Sequence, residues 1–325
     1  MKIVLVSHSG IGNLIHTTPC LKALRSRYPY AEITLLTWPR SARILEGWGV
    51  ANVSCEHPAT FCQRERPDYV LLAPTGAIWQ PNWDHTALKV LRLSPGKIWL
   101  KHEVEYLMDF AYNLGYKEQI PKSEIHLDKT NKVVALTHMD QWGIKPKQFI
   151  CINIGYLKTE HWPLKHWGNT NYSKLLGNYL YPYFVEGQGI VFIGNADDRK
   201  DAEEIIKNKP FSTSTYDNFP SIINACGVFN DIKDTAALIS QSQLVVGNDG
   251  GLMHVASAVG VPTVTIFTFT NPVKNRPFHK KGQIVMVPCD KRMECQHGKF
   301  SRCKPNGCLD VLVEDVFKAV KDTLN

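Results

Sequence analysis

An aspartate, a histidine and two adjacent glycines converge in one stretch of this chain. Leu244–Pro272 reads LVVGNDGGLMHVASAVGVPTVTIFTFTNP, with Asp249, Gly250, Gly251 and His254 near its centre. Leu244, Val245 and Val246 predict a strand, Gly247 to Gly250 a tight turn, and Met253, Val255, Ala256 and Val259 a helix by their spacing. Gly260 stops the helix, Pro262 follows, and the β-branched run Thr263 to Phe267 predicts a second, buried strand. A helix that starts in a glycine turn offers unpaired N–H groups and the positive end of its dipole, which suits an anion, and a pyrophosphate above all. Glycines let backbone approach such a guest with no β-carbon in the way. Asp249 would cap the helix or accept a ligand hydroxyl, and His254, about one turn in, would reach the same guest. On spacing alone, a plain N-cap at Asp249 and a packed His254 fit equally well.

A second constellation lies at the N-terminus. Lys2 to Val6 is a short apolar strand, Ser7 to Asn13 a turn, and Leu14 to Tyr28 a helix whose regular part begins near Pro19. Ile33 to Thr37 completes a β-α-β unit, the opening of a doubly wound sheet. The turn contains Gly10-x-Gly12, but Ile15 stands where a dinucleotide fingerprint needs a third glycine or alanine. Trp38 and Pro39 stand where it needs an acid, so a NAD site is excluded.

The segment DGGLMH, followed by ASAVGVPTVTIF and TNP, resembles the D-S/T-G-x-x-H signature of the heptosyltransferase-like glycosyltransferases of family 9. In that family the segment grips the diphosphate and sugar of an ADP-heptose donor. The resemblance implies donor contacts from Asp249, Gly250, Gly251, Met253, His254 and Thr270. Gly250 replaces the usual Ser or Thr, which removes one hydroxyl.

The stretch SGIGNLIHTTPCLKALRSRYPYAEITLLT is similar to the family's N-terminal pattern, G-D-x-x-x-T-x-P, a helix, then F/Y-P-x-A-x-I. It supplies Gly12, Thr17, Pro19, Tyr28, Pro29, Ala31 and Ile33. Gly12, His16 and Thr17 would then face the acceptor. The family's acidic base is Asn13 here, and an amide cannot take up a proton at neutral pH. Asn13 would orient the hydroxyl instead, while His8 or His16 has a suitable pKa for the base, unless they are ordinary loop or packing histidines. His102-Glu-Val-Glu105 resembles a family H-x-V-E segment, adding His102 and Glu105 on the acceptor side. Glu103 and Asp109 are further acids, or part of a solvated helix face.

In the second half NIGYLKTEHWPLKHW resembles the family's N-x-G and K-x-W-P, through Asn153, Gly155, His161, Trp162 and Pro163. Glu160 stands where the family's lysine neutralises donor phosphate, and a carboxylate there repels it. Lys158 is the nearest substitute. IVFIGNADDRKDAEEI adds Gly194 and Asp198 to the donor set, although Asp198 also suits a helix first turn. Cys289, Cys295, Cys303 and Cys308 fall within twenty residues. They would hold structural zinc or iron tetrahedrally or remain reduced loop thiols; no C-x-x-C pair is present. Some relatives in the family are thought to bind iron there.

At 325 residues, 44% hydrophobic and 21% charged, the chain has the composition of a two-domain globular protein. No apolar run is long enough to span a bilayer and MKIVLVS lacks the form of an export signal, so a cytoplasmic protein is expected. The net charge of +7 describes a solvated surface, a phosphate-bearing partner or peripheral attachment to the anionic inner-membrane face. No nucleic-acid-binding motif is present. Nine cysteines without signs of secretion argue against a disulfide framework.

The aromatic-rich AIWQPNWDH after a strand at 67–72 would line a sugar pocket with Trp79 and Trp83, or place them in the core. The polar 121–148 stretch marks the domain boundary. The resemblance implies a GT-B fold: two Rossmann-like domains with parallel sheets facing a cleft, residues 1–145 for the acceptor and 146–325 for the donor. It further implies inverting transfer, with no required cofactor and no catalytic metal, from a nucleotide-diphosphate sugar such as ADP-heptose to a lipopolysaccharide-type or other glycan. The rival is a catalytically silent relative that binds nucleotide-sugar or glycan as a partner, motivated by Asn13 and Glu160. A sugar-nucleotide epimerase of related fold is the third reading.

Overall fold

The structure is a computed structural model and describes residues 1–73, 89–93, 101–155, 163–184, 187–210, 221–279, 281–289 and 307–325. Trp79, Trp83, Lys158, Glu160, Cys295 and Cys303 lie outside these residues. The chain forms two compact units, Met1–His126 and Leu127–Asn325. The division falls inside the polar 121–148 stretch.

In the first unit, β1 (Lys2–Val6), α1 (Ile11–His16), α2 (Thr18–Arg27), β2 (Glu32–Leu36) and α3 (Pro39–Ala42) come first. They are followed by β3 (Asn52–Ser54), α4 (Pro58–Glu65), β4 (Tyr69–Leu72), β5 (Lys89–Arg92) and α5 (Glu103–Asn113). The strands make one parallel sheet in the order β3-β2-β1-β4-β5. Val4 pairs in register with Thr34 on one side and Val70 on the other. The strand order therefore reverses beside β1, the place where open α/β sheets bind ligands beyond their strand ends. Pro19 falls in the first turn of α2, where its missing N–H has no helical partner to lose.

In the second unit, α6 (Lys129–Gln141), β6 (Phe149–Asn153), α7 (Asn169–Lys174), α8 (Tyr181–Tyr183), β7 (Gly189–Ile193) and α9 (Arg199–Lys207) lead into β8 (Ser221–Asn224). Then come α10 (Ile232–Gln241), β9 (Leu244–Asn248), α11 (Gly251–Ala258), β10 (Thr263–Phe267), α12 (Pro272–Asn275), β11 (Gln283–Met286) and α13 (Val313–Leu324). This sheet is also parallel, in the order β11-β10-β9-β6-β7-β8. Strands β6, β7, β9 and β10 are buried at every residue, as expected when helices cover both faces of a parallel sheet. Ile150, Ile152, Leu244, Val246, Val264 and Ile266 form the centre of that core, against which Val316 and Val320 of α13 pack. Each such side chain contributes roughly 1.5–3 kcal/mol by leaving water.

Helix α6 occupies a stretch whose composition reads as a polar boundary. An Asp128–Asn131 capping box starts it, and Asn131 donates to Asp234 of α10 at 2.7 Å. Among the described residues no helix is long and apolar enough to cross a membrane.

Candidate active site

The second unit's site grows from the ends of β6, β7 and β9. Gly247 brings β9 against β6 so closely that a β-carbon there would collide with the Asn153 carbonyl oxygen. Asn248 then ties the strand ends together: its Nδ2 donates to the Ile154 carbonyl at 3.0 Å, and its Oδ1 accepts from the Trp167 amide at 3.1 Å. Asn153 Nδ2 donates to the Asn248 carbonyl at 3.4 Å. These bonds hold the turn that carries Asp249.

Asp249 is almost fully buried. Its Oδ2 accepts from Lys165 Nζ at 3.0 Å and from Thr270 Oγ1 at 2.8 Å, while Lys165 Nζ also lies 3.5 Å from the Asp249 carbonyl. Burial by itself raises the carboxyl's pKa. The Lys165 ammonium, His254 and the two hydrogen bonds outweigh it and hold Asp249 below the usual carboxylate range. The side chain is therefore a fixed anion at neutral pH, and its countercharge comes from the short turn Pro163–Lys165. Lys165 was not among the residues expected from sequence. The signal for it is physical: a buried carboxylate needs a cation close by.

Helix α11 starts directly after this pair. Gly250 is its N-cap, extended at φ −164°, and no side chain caps the first turn. A β-carbon at Gly250 would meet Asn153 Nδ2 and the Gly155 carbonyl oxygen at an ordinary 3.5 Å. Gly155 and Gly194 differ: their β-carbons would lie 2.8 Å and 2.7 Å from Asp198 Oδ2. The structure thus brings Asp198 between the ends of β6 and β7, where its Oδ2 also accepts from the Asn195 amide at 3.0 Å in a reciprocal cap. His254 is buried beside Asp249, whereas Met253 is wholly enclosed in the core.

In the first unit several residues expected at the acceptor side spend their polar atoms on local structure. Thr17 Oγ1 donates to the Leu14 carbonyl at 2.7 Å. His102 is the N-cap of α5, its Nδ1 accepting from the Val104 amide at 3.1 Å, and Glu105 accepts from the His102 amide at 3.2 Å. His16 is buried edge-on to His102 with ring centroids 5.0 Å apart. Gly12 and Asn13 are half-buried in α1. His8 is half-buried on the β1–α1 loop, and burial, reinforced by nearby His57, lowers its pKa. At neutral pH it is a neutral imidazole that can accept a proton.

Of the cysteine cluster, Cys289 is half-buried and Cys308 is buried against Phe269. Among the described residues no group of three or more metal-ligating side chains is assembled.

A parallel α/β sheet thus ends in a glycine-turn helix beside a buried, charge-compensated aspartate. The sequence profile of Glycosyltransferase family 9 (heptosyltransferase) matches residues 76–304. The chain belongs to that family. It is a glycosyltransferase of the GT-B class, with the two parallel sheets described above. Lipooligosaccharide heptosyltransferase 2 of Haemophilus influenzae is 29% identical, the alignment covering 100% of this chain and 99% of the relative. Two solved structures share the fold. A family 9 glycosyl transferase from Veillonella parvula superposes with a TM-score of 0.76 at 19% identity, covering 99% of this chain and 97% of that one. The ADP-heptose LPS heptosyltransferase II of E. coli superposes with a TM-score of 0.72 at 18% identity, covering 100% and 98%.

Proposed function

We propose that this family 9 glycosyltransferase moves a heptosyl group from ADP-heptose to a lipopolysaccharide-type glycan, with inversion and without a catalytic metal or required cofactor. The observation that carries the reading is the Asp249–Lys165–Thr270 cluster at the start of α11. It supports a site for a diphosphate that bears a hydroxyl-rich sugar. The names of the Haemophilus and E. coli relatives support heptose, ADP and the lipopolysaccharide-type acceptor.

In this reading the second unit holds the donor. The uncapped amides of α11 meet the diphosphate, as the positive end of a helix does, and Asp249 accepts from a donor hydroxyl. Gly155, Gly194 and Asp198 line the ends of β6 and β7 beside it. The first unit holds the acceptor. His8 removes the proton from the acceptor hydroxyl, and Asn13 orients that hydroxyl. The oxygen attacks the anomeric carbon as the bond to phosphate breaks, and ADP leaves with the electron pair. Lys165 and the α11 amides stabilise the charge that develops on it. The silent-partner alternative is not favoured for a chain that belongs to this enzyme family.

The test is direct. Purified protein, ADP-heptose and a deacylated lipooligosaccharide core lacking its outer heptose are incubated together. Mass spectrometry of the glycan and chromatography of ADP are then read in parallel. One heptosyl increment per ADP released supports the proposal. ADP release without glycan product, or no ADP release at all, overturns it.

A further inference from the structure

At the strand ends of the first sheet stands an aromatic group that the donor signature does not use. Trp38 follows β2, is 37% exposed, and packs its indole on the His8 ring at a centroid distance of 4.7 Å and 42° between planes. The two loops that carry this pair are laced together beneath it. Thr37 Oγ1 donates to the Ser7 carbonyl at 2.8 Å, Ser41 Oγ donates to the Ser9 carbonyl at 2.8 Å, and the Ser7 and Ser9 hydroxyls lie 3.1 Å apart. All four hydroxyl residues are buried, so the backbone is fixed while the indole reaches the surface. Ligands of open α/β sheets bind at this edge, and an indole left partly bare there is a ready apolar platform. Arg40, in α3, is exposed and joins no ion pair with a described residue. Its neighbour Arg43 is engaged by Glu46 at 2.9 Å.

We infer that Trp38 is the platform for an acceptor sugar. The C–H face of one ring lies on the exposed indole, its nucleophilic hydroxyl presented to His8, and Arg40 pairs with an anionic substituent, phosphate or carboxylate, on that ring or the next. The inference rests on the proposed acceptor role of the first unit and adds the residues that select the acceptor. The stacked contact fixes the ring, the neighbouring imidazole receives the proton, and the guanidinium reads charge.

The experiment measures calorimetric Kd for deacylated lipooligosaccharide core, native, dephosphorylated or carboxyl-reduced, together with Kd for ADP and the acceptor KM and kcat. Trp38→Ala should weaken the native core and raise its KM by about tenfold, the upper range of one aromatic contact, with ADP affinity unchanged. Trp38→Phe should keep both within about threefold, since a smaller ring still stacks. Arg40→Ala should weaken the native core but not the dephosphorylated one if phosphate is read. It should lose its effect only on the carboxyl-reduced core if a carboxylate is read, and equal affinity for every core removes Arg40 from the inference. Undiminished core affinity in Trp38→Ala overturns the platform. A wild type that binds ADP but no core overturns instead the acceptor reading beneath it.

Discussion

The two units carry the same sheet type and use their strand ends differently. In the second, the signature residues converge on one buried anion: Asp249, Lys165 and Thr270 are locked by hydrogen bonds of 2.8 to 3.0 Å. In the first, the corresponding loop carries no such charge pair among the described residues. Thr17, His102 and Glu105 are consumed by helix caps, and the proposed base is a histidine beside a surface tryptophan. A donor diphosphate calls for a preorganised charged cradle. An acceptor hydroxyl calls for a base near its operating pH and a shape to lie against. Under the proposed assignment of donor and acceptor the difference follows from those demands, and each substitution should fall on one side of it.

His8→Gln should lower kcat by about a hundredfold or more, the usual range for a lost general base, while donor affinity stays as it was. Asn13→Asp in that background should recover part of the rate by restoring a carboxylate. A rate unaffected by His8→Gln would move the base elsewhere and break the comparison.

Lys165→Ala should cost about 3 kcal/mol of stability, because it leaves a buried carboxylate without its cation, and should abolish detectable ADP binding. Urea unfolding and calorimetry read the two effects. Lys165→Met with Asp249→Asn should regain most of the stability and none of the binding, which separates the fold's need for the pair from the ligand's.

Gly155→Ala should destabilise by roughly 1–3 kcal/mol, because its β-carbon meets Asp198 and the packed strand ends cannot part freely. Gly250→Ser should change stability by no more than about 0.5 kcal/mol, since its extended backbone accepts a side chain and a β-carbon there makes only ordinary contacts at 3.5 to 3.6 Å. The added hydroxyl should hold or tighten ADP. Melting temperatures and ADP titrations of the pair would sharpen the contrast between a glycine with no room for a β-carbon and one with just enough.

The pH dependence follows from Asp249. Its folded pKa lies below its ordinary value, so its contribution is complete above about pH 4, the unfolded value. It is lost as pH falls through the lower folded value. Acid unfolding of Asp249→Asn should therefore be shallower than that of wild type below about pH 4. A modest effect is expected at Glu105→Ala, about 1 kcal/mol of stability from a lost cap contact with acceptor KM unchanged. A large rise in that KM would return Glu105 to the acceptor site.

The sequence made the Leu244–Pro272 stretch legible as structure because it supplies strand, glycine turn and helix start without interruption. Asp249 and Thr270 meet in the structure as that stretch implies. Lys165 was illegible. It reaches Asp249 across 84 positions from a three-residue turn with no periodicity of its own. Helix α6 was hidden for the opposite reason: Val133 and Leu136 are exposed while Asn131 is buried, so the apolar spacing that marks a helix is inverted at those positions. His102 and Glu105 matched a family segment, yet the same H-x-x-E spacing is also that of a reciprocal cap. Spacing alone cannot separate the two, whereas the bonds to Val104 and His102 amides do.

Ligand-linked unfolding tests the central claim, a nucleotide-sugar donor site at Asp249 and Lys165, most directly. ADP at about 100 times its Kd should stabilise the wild type by roughly 2.7 kcal/mol, UDP and GDP at the same concentration should do less, and Lys165→Met/Asp249→Asn should show no shift. A full ADP shift retained in that double variant, or none in the wild type, would contradict the assignment of the donor to this loop.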